Sequence, residues 1–159
     1  MRLLSFCVSL AAIALPALAQ QCPATVEEPA KLRVGRKGTT EQRLKVSLPA
    51  GCHANSNAPT EAFLIPLKLT WGPGAPGAVA AVEAMETAYP KPALEKYAFN
   101  EKPISVVSGQ FEIVTKFSRV GTAQPGPSSI TGKLRYQACN DKMCFPPKTV
   151  EVRLPLLLE

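Results

Sequence analysis

Little in this sequence points to a membrane span, a helical bundle or a nucleic-acid surface. Beyond its first segment the chain has no apolar run of the roughly 18 residues that a spanning helix needs. Only 6% of the residues are aromatic. None of them interleaves the basic cluster of Lys31, Arg33, Arg36, Lys37, Arg43 and Lys45, so the stacking platform of a nucleic-acid site is missing. The formal charge of +6 therefore reads as a solvated strand face, the alternative being contact with an acidic partner. His53 is the sole histidine, and the cysteines match no recognised metal signature, so no bound metal or cofactor is expected. Charge is sparse at 19% against 46% hydrophobic residues, which excludes a disordered chain. Proline is plentiful, at 16 residues, and each interior proline would remove a helix hydrogen bond. No repeat or long linker divides the 159 residues, so one domain with one core is expected.

Met1–Ala19 has the pattern of a secretion signal. Arg2 supplies a short positive start, Leu3 to Leu15 is apolar, and Ala17-Leu18-Ala19 is a small-x-small cleavage site. Cleavage after Ala19 is expected, leaving a single domain over residues 20–159. It would remove Cys7 and leave Cys22, Cys52, Cys139 and Cys144. Such a set in an exported chain belongs in an oxidising compartment, and it can pair in more than one way.

The hydrophobic period is mostly two, which predicts strands. Alternation runs through Lys31–Val34, Arg43–Leu48, Phe63–Trp71, Phe111–Phe117, Lys133–Ala138 and Thr149–Leu154. Pro66 inside the third run predicts an edge or a bulge there. Turn residues punctuate the runs at Pro49-Ala50-Gly51, Gly72-Pro73-Gly74, Pro90-Lys91-Pro92, Ser108-Gly109 and Gln124–Pro127. Ala78–Ala88 is ambiguous: it is alanine-rich and favours helix locally, a weak preference that tertiary pairing could override. Short half-apolar strands at this spacing predict an all-β antiparallel sandwich.

The most informative stretch is Lys133–Arg153, where two alternating runs flank Cys139 and Cys144. As a hairpin it places Cys139 at the end of one strand and Cys144 at the start of the next. Opposed strand residues lie about 4.5–5.5 Å apart, a separation that suits a disulfide. Pro146-Pro147 withholds two backbone donors and should interrupt the ladder, leaving the loop at the surface. So short a closed loop stabilises by only about 2 kcal/mol, whereas a Cys22–Cys52 bridge would give about 3.7 kcal/mol. The short bridge is thus the weaker staple and the better candidate for cycling between joined and separate sulfurs. Lys142 favours a thiolate there and Asp141 opposes it, with no helix N-terminus evident to assist. Control by access, more than by thiolate activation, is expected.

Other residues leave alternatives open. Cys22 and Cys52 read as a structural bridge, or as unpaired or shuffling thiols. His53 reads as a hydrogen-bonded strand-end residue, or as a general base beside the cysteines. Asn55, Ser56 and Asn57 read as turn residues bonded to backbone. Tyr136 is assigned to the core, and Trp71 to core or rim. Cys139, Met143 and Cys144, with His53, are also soft enough as a set to hold Cu(I).

Tyr136-Gln137-Ala138-Cys139, followed by Cys144-Phe145-Pro146-Pro147, resembles the active-site hairpin of the periplasmic N-terminal domain of the thiol:disulfide interchange protein DsbD. Gly51-Cys52-His53-Ala54-Asn55-Ser56-Asn57, then Phe63-Leu64-Ile65-Pro66, is similar to a second segment of small DsbD-like domains. The resemblance spans roughly Leu32 to Leu156. It implies an immunoglobulin-like β-sandwich that relays reducing equivalents in the periplasm, with no cofactor because the electrons travel on sulfur. It implies that Cys144 forms the mixed disulfides and that Cys139 resolves them. It implies a cap loop shielding the pair, for which Tyr97-Ala98-Phe99-Asn100 is the best match, Phe99 foremost beside Tyr97. Implied partners are thioredoxin-like periplasmic proteins, among them disulfide isomerases and cytochrome c maturation thioredoxins, or a membrane electron donor. Two departures stand out. The cysteine loop is a residue shorter than in well-known members, and position 52, usually aromatic, is cysteine, which could bring it near the active pair. The competing expectation is an exported binding domain without redox turnover, its disulfides purely structural.

Overall fold

A computed structural model describes residues 22–159. The expected secretion signal, Met1–Ala19, and its cleavage point lie outside the described residues. Every regular element described is a strand: β1 (Thr25–Val26), β2 (Leu32–Val34), β3 (Thr40–Ser47), β4 (His53–Asn55), β5 (Lys68–Pro73), β6 (Val82–Ala88), β7 (Ala93–Glu95), β8 (Ile104–Ser108), β9 (Gln110–Arg119), β10 (Gly126–Tyr136), β11 (Ala138–Cys139) and β12 (Lys148–Leu158). The class is all-β, as the alternation predicts, and immunoglobulin-like, as the resemblance implies.

Two sheets, ordered β1-β3-β9-β6 and β2-β12-β10-β5, form the sandwich. Alternation sends Leu44, Val46 and Ile113 of the first sheet inward against Leu69, Leu134 and Val152 of the second. A second cluster, around Phe117, Ile130, Leu154 and Leu156, fills the other end. Trp71 bridges the sheets: its indole N–H donates to Thr115 Oγ1 at 3.1 Å, and its ring meets Phe117 edge-on at 5.2 Å. It lies within β5.

The third sheet, β11-β4-β8-β7, carries the cysteine hairpin. β10 runs antiparallel to β12 as far as Tyr136, and after Gln137 the chain joins β4 as β11. This switch of sheet carries Cys139 out of the sandwich proper. Tyr136 stays behind in the main core, and its hydroxyl accepts from Ala24 N at 2.9 Å, fastening the segment that holds Cys22.

One sequence expectation is corrected and one ambiguity is resolved. The run from Phe63 is not one strand: β5 begins only at Lys68, and Phe63 is 69% exposed. Pro66 has no N–H, and the backbone of Ile65 bonds to side chains instead, its N–H to Gln137 Oε1 and its carbonyl to Asn55 Nδ2. The alanine-rich stretch ends as strand β6, not helix, because six of its seven residues pair along β9. A register shift between Ala84 and Glu86 sets Met85 outward, and Lys116 pairs with Glu86 at 2.9 Å.

Candidate redox site

Cys139 and Cys144 are joined, with Cα atoms 3.9 Å apart, closer than ordinary strand partners. The hairpin neck is tight because the loop folds on itself. Asn140 N–H donates to Met143 O at 2.9 Å, and Asn140 Oδ1 accepts from the N–H groups of Lys142 and Met143 at 2.9 and 2.8 Å. Cys144 makes only an isolated bridge to Cys139 instead of opening a strand, and β12 starts at Lys148, beyond Pro146-Pro147. The expected interruption of the ladder is present.

Register decides what surrounds the pair. Cys139 is the partner of His53, and His53 of Ser108. The neighbouring row, Ala138, Ala54 and Val107, faces the main core. Strand side chains alternate, so Cys139, His53 and Ser108 project from the opposite face. Ile104 and Val106 of β8 share that outer face, and with Leu64 they form a small separate cluster. Tyr97 and Phe99 pack on this cluster as its lid. The three rings lie nearly parallel: Tyr97 stacks on His53 at 4.0 Å, Phe99 on Tyr97 at 5.5 Å, and His53 and Phe99 centroids are 6.4 Å apart. Tyr97, more than Phe99, is therefore the residue seated over the cross-strand neighbour of Cys139.

The two disulfides occupy opposite sides of this small sheet. Cys22 and Cys52 are joined with Cα atoms 5.7 Å apart, buried in the main core. Cys22 Sγ also lies 3.6 Å from the carbonyl oxygen of Cys139, so the core bridge backs directly onto the outer one. Cys139 is 0% exposed, while Cys144 is partly open to solvent. An incoming sulfur has one accessible target.

The polar groups beneath the lid are few. His53 is 3% exposed, and its Nε2 has no hydrogen-bond partner. Burial lowers its pKa below the ordinary 6.5, with the Glu95 carboxylate pulling weakly the other way. The Tyr97 hydroxyl donates to Glu95 Oε2, and burial together with that bond pushes the phenol pKa up. The lid is thus pinned to β7 by a charge-assisted bond. No group of three or more His, Cys, Asp or Glu among the described residues is arranged to hold a metal ion, and Met143 is 55% exposed.

Gln137 is the supporting residue that sequence reasoning missed. Its Oε1 accepts from Asn55 Nδ2 at 3.1 Å and from Ile65 N–H at 3.3 Å, and its Nε2 donates to Phe145 O at 3.3 Å. One side chain ties β4, the Ile65 turn and the segment just after Cys144. In the sequence it reads as one more polar residue on an outward strand face, and only the switch of sheet makes it a hub. Ser56 has a similar role, accepting from Ser105 Oγ at 2.9 Å and from Ala58 N–H at 3.2 Å.

No family model matches the chain, and no curated protein matches it. Among solved structures it is similar to the N-terminal periplasmic domain of ScsB from Proteus mirabilis, at TM-score 0.53 and 14% identity, covering 89% of this chain and 49% of that one. It is also similar to the Neisseria meningitidis DsbD N-terminal domain in its reduced form, at TM-score 0.44 and 14% identity, covering 71% of this chain and 74% of that one. The chain thus spans about half the length of the ScsB domain it matches, and what the two share is the fold.

Proposed function

We propose that this protein is a periplasmic thiol–disulfide exchange module working through Cys139 and Cys144. The observation that carries the reading is the asymmetry of the pair, since Cys139 is sealed and Cys144 is open at the mouth of a surface loop. A thiolate from a donor attacks Cys144 Sγ in line with the disulfide, and the bond to Cys139 breaks with its electrons left on Cys139. A second thiolate from the donor releases the reduced pair. In the forward direction Cys144 attacks an oxidised partner, and Cys139 then resolves the mixed disulfide. Partners are thioredoxin-like periplasmic proteins or a membrane electron donor, the classes that the likeness to DsbD suggests. The lid of Tyr97 and Phe99 restricts entry to sulfurs presented by a partner that displaces it. The Cys22–Cys52 bond stays closed throughout, since its burial denies a visiting thiolate any approach.

The test is capture. A Cys139→Ala variant leaves Cys144 unable to resolve, so in periplasmic extract it should accumulate adducts that dissociate with reductant. A Cys139→Ala/Cys144→Ala variant should accumulate none. If the single variant also stays unmodified, the exchange reading fails, and a binding domain with two structural disulfides takes its place. Equilibration with glutathione supplies a second measure. A potential near the −180 to −270 mV range of thioredoxin-like proteins supports exchange, and one below about −300 mV supports a permanent staple.

A further inference from the structure

We infer that His53 is the proton acceptor for the buried thiol of Cys139 when that residue resolves a mixed disulfide. The inference rests on the exchange reading above and adds a residue to it. His53 and Cys139 are register partners on adjoining antiparallel strands. Such partners carry their Cβ atoms about 4.5–5.5 Å apart on one face, which brings an imidazole within reach of the sulfur. In the joined state Cys139 has no proton, and His53 Nε2 is buried without a partner. A buried polar atom left unpaired asks for an explanation. Opening the disulfide supplies one, because the thiol of Cys139 then becomes a donor next to the vacant nitrogen.

Other charges facing the imidazole leave it this role. From the strand on its far side the register partner is Ser108, which does not titrate. From β7 and the turn after it come Glu95 and Tyr97, and Tyr97 is engaged with Glu95. From the hairpin come Cys139 and Cys144 themselves, while Asp141 and Lys142 stand exposed on the loop. Burial keeps the imidazole neutral near pH 7, the form that accepts a proton.

Resolution begins with a partner sulfur bonded to Cys144 and a free thiol at Cys139. The thiol proton moves to His53 Nε2. The Cys139 sulfur gives its electron pair to Cys144 Sγ, the Cys139–Cys144 bond forms, and the bond from Cys144 to the partner breaks. Its electron pair leaves on the partner sulfur as a thiolate. The proton on His53 passes to that thiolate or to water. Two cysteine thiols are oxidised to a disulfide, and the partner disulfide is reduced.

Stopped-flow reaction of the reduced protein with dithiobis-nitrobenzoate separates the steps. Each of two phases releases one coloured thiolate, the first from attack by Cys144 and the second from resolution by Cys139. His53→Phe keeps a ring beneath Tyr97 but has no nitrogen, and His53→Gln keeps a hydrogen-bonding group that does not take up a proton. Both should slow the second phase by about a hundredfold at pH 7, the lower end of general-base effects. Both should also move its pH dependence toward the thiol pKa of Cys139, and His53→Phe, which keeps the stack on Tyr97, should leave the first phase within about twofold. An unchanged second phase in both variants overturns the inference, and so does recovery by Gln, which would make His53 a mere orienting group. Absence of any second phase in the unsubstituted protein would instead overturn the exchange reading.

Discussion

Asn55 and Gln137 are joined by a hydrogen bond from Nδ2 to Oε1 at 3.1 Å, and this bond fixes the cysteine hairpin against β4. Asn55 is fully buried, and its amide also donates to Ile65 O at 3.0 Å. Gln137 holds Phe145 O at the same time. The turn before β5, the strand that carries His53 and the segment after Cys144 are therefore tied together by side-chain hydrogen bonds. A disulfide held this way keeps its alignment while its outer edge stays open.

Gln137→Ala should cost about 1–3 kcal/mol, because it leaves one N–H of the buried Asn55 amide and the N–H of Ile65 unpaired. Urea unfolding reads the loss. Reduction of Cys139–Cys144 by a small thiol should also quicken, since Phe145 O loses its anchor. A variant as stable as the parent would show that water replaces the amide without penalty.

The two disulfides should differ in what they support. Replacing Cys22 and Cys52 with Ala should remove about 3.7 kcal/mol of stability while leaving exchange at Cys144 intact. Replacing Cys139 and Cys144 with Ala should remove about 2 kcal/mol and abolish exchange altogether. Thermal unfolding and a thiol-exchange assay on both variants test the pair of statements. Equal stability losses would contradict the assignment of the core bridge as the main staple.

The lid should govern access. Tyr97→Ala deletes the stack on His53 and the bond to Glu95. An aromatic pair contributes about 1 kcal/mol, so the open population should rise about fivefold. Reduction of Cys139–Cys144 by dithiothreitol should accelerate to match. Phe99→Ala, one ring further out, should have the smaller effect. Identical rates in parent and Tyr97→Ala would mean that the rings do not limit entry.

His53 makes stability depend on pH. Its pKa in the folded chain is held below 6.5, chiefly by burial. The unfolded chain therefore takes up the proton first as the pH falls. The stabilising contribution is complete above pH 6.5 and drains away as the pH drops below it. Urea midpoints should decline across that acidic window, and less steeply in His53→Phe. Parallel slopes in both proteins would show that other groups carry the acid dependence.

How much of this was legible in the chain varies by residue. Leu44, Val46, Leu134 and Val152 alternate with charged neighbours, and period two sends them inward in any sheet. Pro146-Pro147 announces the break in the ladder after Cys144. The run from Phe63 misleads because alternation alone does not register that Asn55 and Gln137 satisfy the backbone of Ile65. The stretch before Ala88 stays ambiguous in the sequence because helix preference is local, while β6 draws its bonds from β9.

Local chemistry by itself determined that the domain is built chiefly of strands and that the strand ladder fails just after its last cysteine. These follow from side-chain alternation and from proline, and need no knowledge of distant residues. Only the tertiary structure decided which sulfurs share a face with which rings. β11 and β4 are far apart in sequence, and their register sets Cys139 beside His53 and His53 under Tyr97. A slip of one residue would turn that whole row into the core, so the site exists only because long-range pairing holds it in place.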